Sequence, residues 1–327
     1  MKSLEVSRDT FRLAETFTIS RGSRTESQVI SVRITEGEFT GSGECVPYAR
    51  YGETLDTVEA QIRGITEDLK NGIDRTALQT ALPAGAARNA LDCAMWDLAA
   101  KTAGEPVWKL AGLPEPESVV SAYTLSLGDA TSMQAKAAEH AERPLLKIKL
   151  GGGAEDIERI RAVRRGAPDT TIIVDANEGW TRGEYESLAP VLLELGVAMV
   201  EQPFPASDDE VLASMQRPLP VCADESCHDS ASLPAIAGKY DVVNIKLDKT
   251  GGLTEALVLR DAARQQGFDI MVGCMVGSSL AMAPAVLVAQ GAKFVDLDGP
   301  LLLAEDRIPP LNFTGSVVAP APVQLWG

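Results

Sequence analysis

Eight short apolar segments recur at intervals of 21 to 28 residues through the second part of the chain. Stretches with helical periodicity separate them, for instance 154–167 and 253–267, and each of these ends near a glycine. A strand, a helix and two short loops occupy about 25 residues, so this alternation indicates parallel strands joined by crossovers. The eight segments span 119–125, 145–150, 171–177, 198–203, 220–226, 241–247, 269–276 and 293–299.

The number and spacing of these segments predict an α/β fold of the (β/α)8 barrel type. An open, doubly wound sheet is the alternative, but no GxGxxG sequence follows the first segment, as a dinucleotide-binding sheet would require.

The residues before the barrel have a different pattern. Segments 28–34 and 38–47 are rich in β-forming residues and predict an antiparallel hairpin. Segment 83–104 has apolar residues at helical spacing, and Gly104 is typical of a helix end. We therefore expect three parts: an α+β domain over 1–115, the barrel over 116–304, and a C-terminal segment over 305–327 that returns to the α+β domain.

Composition narrows the classes of function. The 327 residues include 30 Lys and Arg against 46 Asp and Glu, a net charge of −16, so nucleic acid and anionic membranes are poor partners. No apolar segment approaches the ~20 residues of a membrane-spanning helix, and the first ten residues lack the apolar core of a signal peptide. Five cysteines without CxxC spacing favour a reducing compartment over disulfides or zinc, so we expect a cytoplasmic protein. The chain has only two histidines, His140 and His228, so mechanisms that use a Ser-His-Asp triad or a histidine pair are disfavoured.

Acidic side chains lie near the ends of three consecutive barrel segments. Asp175, Glu201 and Asp224 come from the third, fourth and fifth segments, at the end of a barrel where active sites form. Neighbouring strands lie about 4.8 Å apart, so the three side chains can converge on one point. Three buried carboxylates need a counter-ion, and an all-oxygen ligand set favours Mg²⁺ over zinc, with Mn²⁺ as the alternative. The competing interpretation is that each carboxylate, taken alone, caps a helix or forms an ion pair at the end of its strand.

Lysines lie in two other segments. Lys147 and Lys149 are two residues apart in the second segment and project on one face, whereas Lys246 lies four strands away, on the opposite side of an eight-stranded ring. This arrangement suits removal of a proton from one face of a carbon and its return to the other. A lysine base needs a pKa below its usual value of about 10.4, and a nearby cation or a second lysine would lower it. Lysines that reach the solvent at the barrel rim are the competing interpretation.

The strings KIK, VDAN, VEQP, ADES and NIKLDKTGG together resemble the enolase superfamily, in its muconate-lactonizing subgroup. The resemblance covers essentially the whole chain and implies a modified (β/α)7β barrel beneath an N-terminal capping domain. It also implies a 1,1-proton transfer next to a carboxylate, through an enediolate stabilised by Mg²⁺. Lys149 and Lys246 would be the catalytic bases, and Lys147 would stay charged.

Within this subgroup, TISRGSR at 18–24, GECVPYARYGE, ADESCH and DLDGP resemble the L-Ala-D/L-Glu (dipeptide) epimerases. That resemblance implies that Asp296 and Asp298 hold the free ammonium group of a dipeptide substrate. It also implies that Arg24 receives the glutamyl side chain, with Arg21 as the second candidate.

Two further residues and the alternative reactions complete the expectations. Thr124 matches a substrate-binding position, and Cys274 either lines the pocket or is a small core residue. N-acylamino acid racemase, o-succinylbenzoate synthase and muconate cycloisomerase need the same metal and lysines, but their substrates lack a free ammonium for an acidic pair to bind. A non-catalytic protein on the same barrel would be expected to have lost a metal ligand or a lysine. We also expect a homo-oligomer and, from the resemblance, a role in cell-wall peptide recycling.

Overall fold

The structure, a computed structural model, describes residues 1–327. The strands are β1 (Ser3–Ile19), β2 (Gly22–Glu36), β3 (Phe39–Cys45), β4 (Val119–Val120), β5 (Tyr123–Leu125), β6 (Leu145–Lys149), β7 (Thr171–Asp175), β8 (Val197–Glu201), β9 (Val221–Ala223), β10 (Val242–Ile245), β11 (Asp269–Gly273), β12 (Phe294–Asp296), β13 (Phe313–Thr314) and β14 (Val317–Val318). The α-helices are α1 (Leu55–Gly64), α2 (Thr66–Lys70), α3 (Arg75–Ala81), α4 (Ala86–Ala103), α5 (Val107–Leu110), α6 (Ala130–Glu139), α7 (Glu155–Gly166), α8 (Arg182–Glu194), α9 (Leu233–Ile236), α10 (Leu247–Thr250), α11 (Leu253–Gln265) and α12 (Ser279–Val288). None of these helices has both the length and the apolarity to cross a membrane.

Strands β5 to β12 form one parallel sheet in sequential order. No ladder joins its first and last strands, but Ala122 N donates to Val295 O at 2.7 Å and Leu297 N donates to Ser121 Oγ at 2.9 Å. The sheet is therefore a nearly closed barrel, which confirms the predicted fold class. No α-helix follows β12, as in a (β/α)7β arrangement.

Two of the predicted barrel units differ in detail. The first segment, 119–125, is split, because β4 pairs with β14 outside the barrel and only β5 joins the barrel sheet. The crossover between β8 and β9 contains only a short 3-10 helix at Glu210–Ala213 instead of an α-helix. Prolines restrict the backbone at both ends of this crossover. They are Pro203, Pro205, Pro218 and Pro220.

The N-terminal part is an antiparallel sheet in the order β1-β2-β3, which we call the capping sheet. The register that pairs Ile30 with Cys45 confirms the predicted hairpin. Strand β1 was not predicted. Only Leu13 and Phe17 are buried in β1, so its alternating pattern is weak at the level of sequence.

Helix α4 packs directly on the capping sheet, and its position confirms the helix predicted over 83–104. The helix ends at Gly104, whose φ of 65° is left-handed. Strand β3 approaches it closely at Gly41 and Gly43, where a side chain would collide with the helix backbone. A Cβ atom at Gly43 would lie 2.1 Å from Ala90 O. These glycines therefore set the distance between sheet and helix.

The C-terminal segment contacts both halves of the molecule. Strands β13 and β14 form a small sheet with β4. Trp326 is buried, and its Nε1 donates to Cys93 O in α4 at 3.0 Å. The division of the chain at residues 115 and 304 stays a prediction.

The close approach at β3 generates a test of the capping-domain packing. Gly43→Ala is expected to lower the free energy of unfolding by about 2–3 kcal/mol, because the added methyl group forces the sheet and α4 apart. Gly64→Ala is the control, since this helical position has no atom within 4 Å of an added Cβ and is expected to be neutral or slightly stabilising. Urea denaturation measures both, and equal effects of the two substitutions would contradict the packing argument.

Candidate active site

A narrow cleft lies where the carboxyl ends of the barrel strands face the capping sheet. Nine of the eleven candidate residues line it: Arg24, Thr124, Lys147, Lys149, Asp224, Lys246, Cys274, Asp296 and Asp298. Asp175 and Glu201 are fully buried beneath its wall, where each contacts a lysine of the cleft. The barrel topology thus brings together residues that are far apart in the sequence.

Lys147 is the centre of a buried ionic cluster. Its Nζ lies 2.7 Å from Glu201 Oε2, 2.9 Å from Asp296 Oδ2 and 3.2 Å from Asp175 Oδ2. These carboxylates belong to three different strands, β7, β8 and β12. One ammonium group therefore compensates negative charge from both sides of the barrel.

The other two candidate lysines each contact one carboxylate. Lys149, at the end of β6, lies with Nζ 2.6 Å from Asp175 Oδ2. Lys246, directly after β10, lies with Nζ 2.6 Å from Asp224 Oδ2. Strands β6 and β10 are four positions apart in the sheet order, so the two lysines approach the cleft from opposite walls.

Two effects oppose each other at Lys147 and Lys246: burial lowers the pKa of each lysine, and the facing carboxylates raise it. Burial lowers the pKa of Lys147, but Asp296, Glu201 and Asp175 outweigh it and raise the pKa well above the ordinary value. Burial likewise lowers the pKa of Lys246, and Asp224 outweighs it. The expected lowering of the lysine pKa is thus not produced by the protein groups around Lys246. Neutralisation of the carboxylates by a bound cation would act in the expected direction.

The three carboxylates Asp175, Glu201 and Asp224 have the chemistry of a magnesium ligand set. Asp175 and Glu201 are register partners on neighbouring strands, and all three are buried. Oε2 of Glu201 accepts no hydrogen bond of good geometry, although Lys147 Nζ lies beside it. As the side chains lie, no three acidic, thiol or imidazole groups are arranged to hold a metal ion, and lysine ammonium groups lie among the carboxylates. The oxygen-only donor set fits a hard divalent cation.

Asp296 and Asp298 lie where the last barrel strand, β12, meets the first, β5. Asp298 Oδ2 accepts a hydrogen bond from Thr124 N at 2.6 Å, and Asp296 Oδ1 accepts one from Thr124 Oγ1 at 3.3 Å. Burial and the neighbouring charge of Asp296 raise the pKa of Asp298 to about 7. The pair therefore offers one carboxylate compensated by Lys147 and a second that titrates near neutral pH.

The two candidate arginines of the capping loop have different environments. Arg21 is engaged by Glu225 Oε1 at 2.8 Å, by Tyr48 Oη at 3.0 Å and by Asn177 O at 2.8 Å. Arg24 lines the cleft without an acidic partner, its guanidinium 5.8 Å from the centre of the Phe17 ring, and burial lowers its pKa. Of the two, Arg24 is the cation that is available to an incoming anion.

Cys274, for which two interpretations were open, lines the cleft, and burial raises the pKa of its thiol well above the ordinary value. Three further residues at or beside the cleft were not predicted from the sequence. Tyr48 and Tyr51 line the capping side of the cleft, and only their place in the GECVPYARYGE string pointed to them. Lys249 is fully buried, with Nζ 2.7 Å from Asp224 Oδ1 and 2.6 Å from Asp224 O. Its signal was the second lysine within NIKLDK, three residues after Lys246.

Two family models together cover most of the chain. Residues 1–112 match the mandelate racemase/muconate lactonizing enzyme N-terminal domain, and residues 132–305 match the enolase C-terminal domain-like family. The chain therefore belongs to the enolase superfamily, and the predicted family is confirmed.

Close relatives narrow the class further. L-Ala-D/L-Glu epimerase of Escherichia coli K12 is 47% identical over 96% of this chain and 98% of the relative. N-acetyl-D-glutamate racemase of a Pseudoalteromonas species is 46% identical over 91% of this chain and 95% of the relative. A crystal structure of an Agrobacterium tumefaciens enolase family member with homology to dipeptide epimerases, with bound sodium and L-Ala-L-Glu, is 52% identical with a TM-score of 0.98 over 100% of both chains. Both named relatives are isomerases, and this chain is an isomerase of the same superfamily.

The carboxylate of Glu178 contacts arginines from two loops of the capping domain. Arg50 donates to both of its oxygens at 2.7 Å, and Arg21 Nη1 lies 3.3 Å from Oε2. Ala206 N donates to Oε1 at 2.8 Å and fixes the carboxylate on the barrel side. This residue, which follows β7, thus holds the capping loops over the cleft.

The Glu178 contacts predict local protection of those loops. Glu178→Gln is expected to speed amide hydrogen exchange in residues 18–24 and 48–52 about fivefold, because a half-exposed ion pair contributes about 1 kcal/mol. Glu186→Gln is the matched control, since its partner Arg182 lies in the same helix and joins no domains. Exchange mass spectrometry measures both variants, and unchanged exchange in Glu178→Gln would refute this role.

Proposed function

We propose that this chain is a Mg²⁺-dependent epimerase that inverts the α-carbon of the C-terminal residue of L-Ala-D/L-Glu-type dipeptides. The observation that carries the proposal is the approach of Lys149 and Lys246 to one cleft from opposite walls. A carbon held between them can lose a proton from one face and gain a proton on the other. The 47% identity to the E. coli epimerase and the L-Ala-L-Glu in the Agrobacterium structure support the dipeptide as substrate.

Asp175, Glu201 and Asp224 would hold the Mg²⁺ ion, with Mn²⁺ as the alternative. When bound, the ion neutralises the negative charge that develops on the substrate carboxylate as the α-proton leaves. The support for this assignment is that three buried carboxylates come from three neighbouring strands and that one of their oxygens has no hydrogen bond of good geometry.

The two lysines exchange roles with the direction of the reaction. Nζ of one removes the α-proton as general base, and Nζ of the other donates a proton to the opposite face as general acid. Lys147 stays charged, because the facing carboxylates raise its pKa against the effect of burial. Its ammonium group then stabilises negative charge on the substrate carboxylate.

The ends of the cleft would select the dipeptide. Asp296 and Asp298 bind the free ammonium group, and Thr124 orients both carboxylates through its two hydrogen bonds. Arg24 receives the glutamyl carboxylate, since it is the cleft cation without an acidic partner.

The opposed lysines predict two separable half-reactions. Lys149→Ala and Lys246→Ala are each expected to lower the rate of net epimerisation of L-Ala-L-Glu by two or more orders of magnitude. The reason is that general base catalysis alone contributes about 10²–10⁴-fold. Each variant is expected to exchange the α-proton of one isomer only. By the family resemblance, the D-configured carbon requires Lys149 and the L-configured carbon requires Lys246. Proton NMR in D₂O measures both activities.

Lys293→Ala serves as the control, because this exposed lysine pairs with Asp269 away from the cleft. Interconversion by Lys246→Ala at a near wild-type rate would refute the two-base mechanism. A one-base reaction such as dehydration or cycloisomerisation would then be the better account.

An N-acylamino acid racemase is the second candidate function, and two observations favour it. The Pseudoalteromonas racemase is nearly as similar to the chain as the E. coli epimerase. In addition, Asp298 with a pKa of about 7 is partly protonated at neutral pH, and a protonated carboxyl group can donate a hydrogen bond to an acyl oxygen.

The ionisation of Asp298 separates the two candidates. If its carboxylate binds a free ammonium group, kcat/KM for L-Ala-L-Glu is expected to fall as the pH is lowered from 7.5 to 6, because Asp298 gains a proton in this window. Asp298→Asn is expected to weaken turnover at pH 7.5 and to lose this part of the pH dependence. N-acetyl-L-Ala-L-Glu and N-acetylglutamate are expected to be poor substrates of the wild type, and equal kcat/KM for acetylated and free substrates would favour the racemase.

A further inference from the structure

Gln202 has an unusual backbone at the end of a barrel strand. It directly follows Glu201, is fully buried, and has a φ of 34°, in the left-handed region that non-glycine residues rarely adopt. Such a conformation persists only where surrounding contacts enforce it, and it is found preferentially at functional sites.

The side chain of Gln202 binds the loop that carries Asp224. Its Oε1 accepts hydrogen bonds from Asp224 N at 2.9 Å and from Ser226 N at 3.1 Å. Its Nε2 lies within hydrogen-bond distance of Phe204 O at 2.9 Å, Ser226 Oγ at 2.8 Å and Tyr240 Oη at 2.9 Å. Both ends of the amide are therefore committed, and the amide has one orientation that satisfies them.

The backbone of Gln202 joins the two neighbouring strands. Gln202 N donates to Cys222 O in β9 at 2.9 Å, and Gln202 O accepts from Glu178 N, after β7, at 2.9 Å. Strands β7, β8 and β9 thus meet at one residue. They are the three strands whose ends carry Asp175, Glu201 and Asp224.

A buried network supports the amide from behind. Tyr240 Oη donates to Asp209 Oδ2 at 2.8 Å, and Lys239 Nζ lies 2.6 Å from Asp209 Oδ1. The hydroxyl that faces Gln202 is therefore itself held in place by a charged pair on the far side.

We propose that Gln202 is a positioning residue that fixes the three candidate ligand carboxylates relative to one another for a divalent cation. The proposal rests on the proposed function. Gln202 lines no part of the cleft and contacts no reacting atom. It acts through the backbone of Asp224 and through the ladder contacts that set the position of Glu201 between its two neighbours.

Mn²⁺ binding to the full chain tests this role without reference to turnover. Gln202→Met keeps the length of the side chain and removes both polar ends, and we expect at least a tenfold higher Mn²⁺ dissociation constant, measured by electron paramagnetic resonance of free Mn²⁺. Gln202→Gly adopts the left-handed backbone conformation freely and lacks the same side-chain contacts, so it is a second variant for which the same increase in the dissociation constant is expected. Gln79→Met is the control, because that amide contacts Arg75 O and Asp92 in the capping domain.

A purely structural role would lower the thermal unfolding midpoint of the Gln202 variants and leave the Mn²⁺ dissociation constant unchanged. A constant within twofold of the wild-type value in either folded variant would therefore overturn the proposal while the proposed function stands. Failure of the wild-type chain to bind Mn²⁺ or Mg²⁺ would overturn both.

Discussion

The mutual compensation of buried charges at the carboxyl ends of the barrel strands is the interaction on which the rest of the site depends. Lys147 contacts three carboxylates, and Lys149 and Lys246 each contact one. Removal of one partner from a buried pair leaves an uncompensated charge and costs about 3–5 kcal/mol. Such a cluster is weak evidence for stability, since apolar residues would serve that purpose as well. It is better explained as the machinery of a reaction that moves charge.

The capping domain completes the site by covering this cluster. Glu178 binds Arg50 and Arg21 from two capping loops, and Arg21 continues to Glu225. These contacts leave Arg24 as the capping-loop cation that faces the cleft without an acidic partner. One set of ion pairs thus orders the cover, and we propose that Arg24, which is left out of it, binds a substrate anion.

The fold was predictable because its signals are local and repeated. Apolar segments at regular spacing predicted the barrel, and helix α4 was marked by its periodicity and by Gly104. Strand β1 escaped prediction because only Leu13 and Phe17 are buried in it. The crossover after β8 departs from the expected pattern, since it contains a short 3-10 helix and no α-helix. The cytoplasmic location, the homo-oligomeric assembly and the role in peptide recycling stay predictions.

The candidate site was predictable where the topology alone decides proximity. Asp175, Glu201 and Asp224 follow neighbouring strands, so their convergence could be expected from strand order. The connection of these residues through Gln202 could not be expected from the sequence. The hydrogen bond from Asp224 N to Gln202 Oε1 depends on a left-handed residue and on a side-chain orientation that no periodicity encodes. The raised pKa of Lys246 could not be predicted from the sequence either, since it depends on the 2.6 Å contact between its Nζ and Asp224.

In the proposed two-base reaction, a proton leaves one face of the α-carbon and a different proton arrives on the other. The most direct measurement is the position of deuterium after the first few per cent of reaction of L-Ala-L-Glu with the wild-type chain in D₂O. The two-lysine account predicts that the newly formed L-Ala-D-Glu carries deuterium at the glutamyl α-carbon, while the remaining L-Ala-L-Glu still carries protium. Extensive retention of the original protium in the product would contradict it, because that result requires one base to carry the proton from face to face.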